Sequence, residues 1–170
     1  MIEDAAASIR LLVLDVDGVL TDGRIILDNA GKEIKRFHVR DGLGIHLLIK
    51  AGIDVVIITG RESEVVKRRA SELGIRGVHQ GVKDKAECLS GVMEKKGLKK
   101  EEICVMGDDL PDIPMFRLTG MAVSVANAAL EVREASTLVT KKRGGEGAVR
   151  EICELILKAQ GKWTGVVSSF

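Results

Sequence analysis

Apolar positions in this chain fall into short runs separated by longer amphipathic stretches. Ile9 to Val16, Ile53 to Ile58, Ile103 to Met106, Met121 to Val125 and the shorter Thr137 to Val139 are rich in aliphatic residues and do not alternate with polar ones. Such runs predict strands of a parallel sheet covered on both faces. Between them, Gly42 to Ala51, Glu62 to Leu73, Lys85 to Lys96, Leu110 to Leu118 and Ala128 to Ala135 read as helices. Gly52, Gly74 and Gly97 follow three of these, where helix C-caps favour glycine. Strand and helix in alternation predict an α/β domain with a doubly wound, mainly parallel sheet.

One segment breaks the rhythm. Arg24 to Val39 carries the turn residues Asp28-Asn29-Ala30-Gly31 between two strand-like runs, which predicts a β-hairpin. It follows an acidic strand end directly, so the hairpin, about residues 23–40, is expected to fold over that end as a flap. The last residues, 163–170, show no clear period and read as a tail that docks on a neighbour or stays mobile. Residues 1–162 are expected to form a single domain.

Composition narrows the function classes. The 170 residues are 45% apolar and 30% charged, ordinary for one globular core. A net charge of +1 gives no reason to expect nucleic acid or an anionic membrane as partner. Aromatic residues make up 2%, with no Tyr, so stacking platforms for bases are not expected. Cys88, Cys104 and Cys153 form no CxxC pair, and reduced thiols in a cytoplasmic protein are expected. The N-terminal residues do not read as a signal peptide, and no apolar stretch reaches the roughly 18 residues of a membrane helix.

The chemistry concentrates at strand ends, where doubly wound sheets bind ligands. The first strand ends in Asp15-Val16-Asp17-Gly18, the second in Thr59-Gly60-Arg61, and the third in Gly107-Asp108-Asp109 with Asp112 close behind. Lys85 opens the intervening helix. Carboxylates sharing one crevice repel each other unless a cation compensates, and all-oxygen donors suit Mg²⁺. Such a carboxylate serves as a nucleophile, and a second one two residues on serves as general acid and base. Lys85 and Thr59 would meet the oxygens of a transferring phosphoryl group.

These residues, in this order, resemble the haloacid dehalogenase superfamily of phosphotransferases. Its first motif stands as Asp15-Val16-Asp17-Gly18-Val19-Leu20-Thr21-Asp22, its second as Thr59, its third as Lys85, and its fourth as Gly107-Asp108-Asp109-Leu110-Pro111-Asp112. The resemblance implies a Rossmann-like fold with Asp15 as nucleophile and Asp17 as acid/base. It also implies Mg²⁺ held by Asp15, the Asp17 carbonyl and Asp108, with Asp109 and Asp112 as outer or alternative ligands. Neither stretch between the first three motifs has room for a cap domain. From Leu11 to Lys162 the chain is similar to the 3-deoxy-D-manno-octulosonate 8-phosphate phosphatases, in phrases such as "DVDGVLTDGRI" and "KRGGEGAVREICELIL".

That resemblance implies hydrolysis of an eight-carbon acid-sugar phosphate on the route to lipopolysaccharide. It also implies a homotetramer whose hairpins pack together and whose subunits help close each other's sites. Thr59, Gly60, Arg61, Arg69 and Lys85 are the implied substrate contacts, the two arginines facing the sugar carboxylate. A nine-carbon sialic-type 9-phosphate remains the alternative substrate. A catalytically idle binding subunit and a phospho-acceptor signalling domain are the rivals from other classes, though no Asp ends the second strand as the latter needs. The Arg143-Gly144-Gly145-Glu146-Gly147 loop reads either as an anion-binding helix entry or as a plain connection. His38, His46 and His79 are not needed by this chemistry, and His46 is expected to pack inside.

Overall fold

The computed structural model describes residues 1–170. Eight strands occur in chain order: β1 (Leu11–Leu14), β2 (Ile26–Leu27), β3 (Glu33–Ile34), β4 (Asp54–Ile58), β5 (Gly77–His79), β6 (Ile103–Gly107), β7 (Met121–Ser124) and β8 (Leu138–Val139). Six of them form one parallel sheet in the order β5-β4-β1-β6-β7-β8, and β2 and β3 pair antiparallel as a separate hairpin. The helices are α1 (Ile2–Ala7), α2 (Val39–Lys50), α3 (Glu64–Leu73), α4 (Lys85–Lys96), α5 (Ile113–Phe116), α6 (Leu130–Ala135), α7 (Ala148–Ala159) and α8 (Trp163–Val167).

β1 lies at the centre, paired with β4 on one edge and β6 on the other. All four of its residues are fully buried, which is why its sequence does not alternate. α1 and α2 pack on α7, while α4 and α6 pack on α5, and these groups flank the sheet. A single cluster of 41 buried apolar residues joins them. Truncating one of its large side chains, Leu12→Ala for example, costs about 2–5 kcal/mol.

Several element boundaries differ from the pattern, each for a local reason. Leu110 to Leu118 is not one helix: a 3-10 turn spans Leu110–Asp112 and α5 follows as a short helix. Pro111 and Pro114 lack the N–H groups that a continuous helix would use. α2 starts at Val39 rather than Gly42 because the His38 side chain caps it, its Nδ1 accepting the Arg40 N–H at 3.2 Å. The segment after Lys162 holds α8, whose Trp163 ring lies 5.4 Å from the Arg150 guanidinium and 5.2 Å from the Lys158 ammonium.

In the hairpin, Asp28 organises the turn, its Oδ1 accepting the N–H groups of Ala30 at 2.9 Å and Lys32 at 2.7 Å. The strands are only two residues each, so the flap depends on side-chain contacts with the body of the protein. No helix is long and apolar enough to cross a membrane.

Candidate active site

The sheet brings the four sequence motifs to one edge. A crevice of about 450 Å³ is lined by Asp15, Asp17, Thr59, Gly60, Arg61, Lys85, Asp108, Asp109 and Asp112 among others. Asp15 follows β1, Thr59 follows β4, and Asp108 follows β6, so the parallel register places three strand ends side by side. Lys85 is the first residue of α4, which Asp84 caps by accepting the Glu87 N–H at 2.9 Å. Its ammonium donates to Asp15 Oδ1 at 2.9 Å and to Asp112 Oδ1 at 2.7 Å.

Two glycines are dictated by this packing. A Cβ on Gly18, which has φ +96°, would lie 1.9 Å from Asp108 Oδ2. A Cβ on Gly107 would lie 2.4 Å from the Asp112 Cβ. No side chain fits at either place, so the glycine of each acidic motif makes room for a carboxylate of the fourth motif.

One oxygen from each of Asp15, Asp108 and Asp112 lies within 4.8 Å of the others. Burial, reinforced by the Asp112 charge, pushes Asp15 up to about 6 against the pull of Lys85. Burial and the charges of Asp15, Asp112 and Asp109 push Asp108 up to about 8. Burial also opposes the charge on Lys85, but Asp15 and Asp112 outweigh it and hold the ammonium above its usual range. One lysine therefore does not balance the cluster. A close set of buried oxygens that is short of positive charge, without a nitrogen or sulfur donor, fits a hard divalent cation such as Mg²⁺.

Asp112 and Asp109 differ in position. Asp112 is part of the buried cluster, and its Oδ2 accepts the N–H groups of Asp108 at 2.9 Å and Asp109 at 3.3 Å. Asp109 is exposed, and its Oδ1 accepts the Leu110 N–H at 2.8 Å as the cap of the 3-10 turn.

Asp17 points to the flap side of the crevice. Its Oδ1 accepts from Lys35 Nζ at 2.5 Å and lies 3.8 Å from Arg61 Nη1. The Lys35 side chain is only 2% exposed and also lies 3.1 Å from Glu33 Oε1. Arg61 Nη2 is 3.0 Å from the same Glu33 oxygen, and Ser63 Oγ donates to Glu33 Oε2 at 2.5 Å. The Ser63 hydroxyl, with Lys35 and Arg61, holds the Glu33 carboxyl below the usual range. Sequence reasoning overlooked Glu33 and Lys35, although their spacing around Ile34 places them on one face of a strand.

Arg69 does not line this crevice. It sits in a separate groove of about 560 Å³ between the hairpin and α3, with its guanidinium 5.8 Å from the Phe37 ring centre and 3.2 Å from Glu72. The Arg143 to Gly147 loop packs on the first motif, where Gly145 N–H donates to Val19 O at 3.0 Å. Its tight approach to that turn accounts for Gly144 and Gly145, where a Cβ would lie 1.7 Å from Gly18 O and 2.5 Å from the Asp22 N, while Gly147, with φ +104°, is the N-cap of α7. His46 is exposed rather than packed, because Ile45, Leu47 and Leu48 take the inward positions of α2. Cys104 and Cys153 are buried and all three thiols are free.

A family profile described as haloacid dehalogenase-like hydrolase matches residues 78–152. The 3-deoxy-D-manno-octulosonate 8-phosphate phosphatase KdsC of Escherichia coli (strain K12) is 46% identical over 157 residues, covering 92% of this chain and 84% of that protein. The KdsC protein of Yersinia pestis is 46% identical over 160 residues, covering 94% of this chain and 86% of that protein. The crystal structure of the Moraxella catarrhalis 3-deoxy-D-manno-octulosonate 8-phosphate phosphatase, in complex with magnesium ion, phosphate ion and KDO, is 46% identical. It superposes with a TM-score of 0.97, covering 99% of this chain and 97% of that one. The cobalt-bound phosphatase of Haemophilus influenzae gives a TM-score of 0.91 at 41% identity, covering 94% of each chain.

Proposed function

The chain belongs to the 3-deoxy-D-manno-octulosonate 8-phosphate phosphatases of the haloacid dehalogenase-like hydrolases, and we propose that it hydrolyses this eight-carbon acid-sugar phosphate, with Mg²⁺, to the free sugar acid and phosphate. The product feeds lipopolysaccharide synthesis. The observation that carries the reading is the buried Asp15 carboxylate held at 2.9 Å by Lys85 in a crevice with Asp108 and Asp112.

A single domain over residues 1–162 performs the reaction, with the hairpin at about 23–40 as its flap and 163–170 as a tail. Asp15 is the nucleophile. One of its oxygens attacks phosphorus, the bond from phosphorus to the sugar oxygen breaks, and Asp17 gives that oxygen a proton. The product of this step is an aspartyl-phosphate on Asp15. Asp17 then takes a proton from water as the water oxygen attacks phosphorus, which frees phosphate and restores the Asp15 carboxylate.

Thr59 and Lys85 bind the phosphoryl oxygens, and Lys85 also offsets the charge of Asp15 and Asp112. Asp15, the Asp17 carbonyl and Asp108 hold Mg²⁺, with Asp109 and Asp112 outside them. The bound ion supplies the positive charge that keeps the carboxylates ionised together and polarises the phosphoryl group. Gly60, Arg61 and Arg69 complete the substrate contacts.

The working unit is a homotetramer in the cytoplasm. The support is a set of apolar side chains left uncovered in one copy: Ile25, Leu27 and Ile34 of the hairpin and Val39 at the start of α2 are 63%, 58%, 49% and 77% exposed. Arg69, in a groove of its own, then faces a neighbour's crevice. Neither nucleic acid nor membrane takes part.

Phosphate release from the octulosonate 8-phosphate, a nine-carbon sialic-type 9-phosphate and an aryl phosphate, each with Mg²⁺ and with EDTA, tests the reading. The expected result is Mg²⁺-dependent preference for the eight-carbon substrate. Preference for the nine-carbon substrate moves the substrate and keeps the chemistry. Absence of Mg²⁺-dependent release from all three overturns the phosphatase assignment.

A further inference from the structure

We propose that Glu33, on the flap, is a positioning residue that aims the Arg61 guanidinium at the carboxylate of the incoming sugar acid. The inference rests on the acid-sugar phosphate reading and adds a residue that no motif contains.

Arg61 leaves the end of β4 on an exposed turn, and its side chain is 43% exposed. An arginine so placed has no packing to fix its rotamer, and freezing it on binding costs entropy. Here it is fixed from across the crevice mouth. Glu33 Oε1, buried and without a hydrogen bond of its own, forms an ion pair with Arg61 Nη2 at 3.0 Å, while Nη1 stays on the crevice side, 3.8 Å from Asp17 Oδ1. One edge of the guanidinium is thus committed to the flap, and donors of its other edge remain for a substrate carboxylate.

Glu33 is itself held. Ser63 stands at the N-cap of α3, yet its hydroxyl makes no cap bond and donates to Glu33 Oε2 at 2.5 Å instead. A serine cap contributes about 1 kcal/mol to a helix, and α3 forgoes it to anchor the flap carboxylate. Lys35 adds its ammonium 3.1 Å from Glu33 Oε1 while bonding Asp17 at 2.5 Å. Flap, arginine and acid/base residue are therefore one ionic network, and closing the flap sets the arginine.

The test is a cycle of Glu33→Gln, Arg61→Met and the double variant, measuring KM and kcat for the octulosonate 8-phosphate and for an aryl phosphate without a carboxylate. Glu33→Gln keeps the length of the side chain and an oxygen that can face Ser63. It should raise KM for the sugar acid by about tenfold more than for the aryl phosphate, the scale of one partly buried ion pair. In the Arg61→Met background it should add little, because the two residues act through one contact. Equal effects on both substrates would mean a general flap tether and overturn the proposal. So would full additivity with Arg61→Met, no change, or a lower KM, the last marking Glu33 as a competitor for the arginine. Failure of the substrate reading is separate, since the wild type would then show no preference for the sugar acid phosphate.

Discussion

The Asp41 carboxylate, in the first turn of α2, accepts the backbone N–H of Arg150 in α7 at 2.8 Å, across 109 positions of sequence. The N-cap of α7 is Gly147, which offers no side chain, so a neighbouring helix supplies the cap. The other Asp41 oxygen, Oδ2, is buried without a partner. This contact fixes the start of α7, and with it the loop that rests on the first motif.

Burial pushes the Asp41 carboxyl above its ordinary value of 3.8, outweighing the Arg150 N–H that favours the ionised form. The folded state therefore holds this proton more tightly than the unfolded chain. The stability it contributes is complete below 3.8, falls as the pH rises to the raised value, and stays constant above it. Urea unfolding of wild type and Asp41→Asn at steps from about pH 4 to about pH 8 should show the wild type losing ground to the variant through that window. Asp41→Ala, which removes the cap, should lower stability by about 1–2 kcal/mol at the acid end of this range and by less as the pH rises through the window.

Asp15→Asn keeps the shape of the side chain and removes the nucleophile. Phosphate release should fall by a factor on the order of ten thousand or more, with an unchanged circular dichroism spectrum. A variant that kept a near-native rate would refute Asp15 as nucleophile.

Mg²⁺ binds folded chain and not unfolded chain, so it should raise the melting temperature. At about a hundred times its dissociation constant the gain is about 2.7 kcal/mol. Asp108→Asn should largely abolish that shift. Differential scanning fluorimetry with Mg²⁺ and with EDTA reads it without any substrate.

Putting charge on the exposed apolar residues of the hairpin should break the assembly. Light scattering should give the mass of four copies for wild type and a smaller species for the Leu27→Glu, Ile34→Glu double variant. Activity toward the acid-sugar phosphate should fall with it. An unchanged mass would remove the hairpin as the interface.

The sheet was legible because buried parallel strands write continuous aliphatic runs, and β4 and β6 match theirs to within a residue. The ends of the elements were less so. Capping by His38 and interruption by Pro111 and Pro114 are local events that a period of about 3.6 residues does not encode. At the site, Asp15, Thr59, Lys85 and Asp108 converge as read, because the strand-end rule for α/β sheets fixes where they point. The separation of Asp112 from Asp109 was hidden, since adjacent acids in a turn diverge according to which N–H groups they cap. Glu33 and Lys35 were hidden for a different reason. Their shared face is visible in sequence, but the direction in which a two-residue-strand hairpin leans is set by its tertiary partners.

The central position of β1 has a consequence for synthesis. The ribosome releases Leu11–Leu14 early, but the strand's partners, Asp54–Ile58 and Ile103–Gly107, follow much later. In the interval an entirely apolar strand has two open edges, the condition under which nascent chains associate wrongly. Asp15, immediately beyond it, offers a charge at the end of that strand before it ever meets Lys85, 70 positions on. The residue assigned to attack phosphorus thus also stands as a gatekeeper against aggregation while the sheet is incomplete.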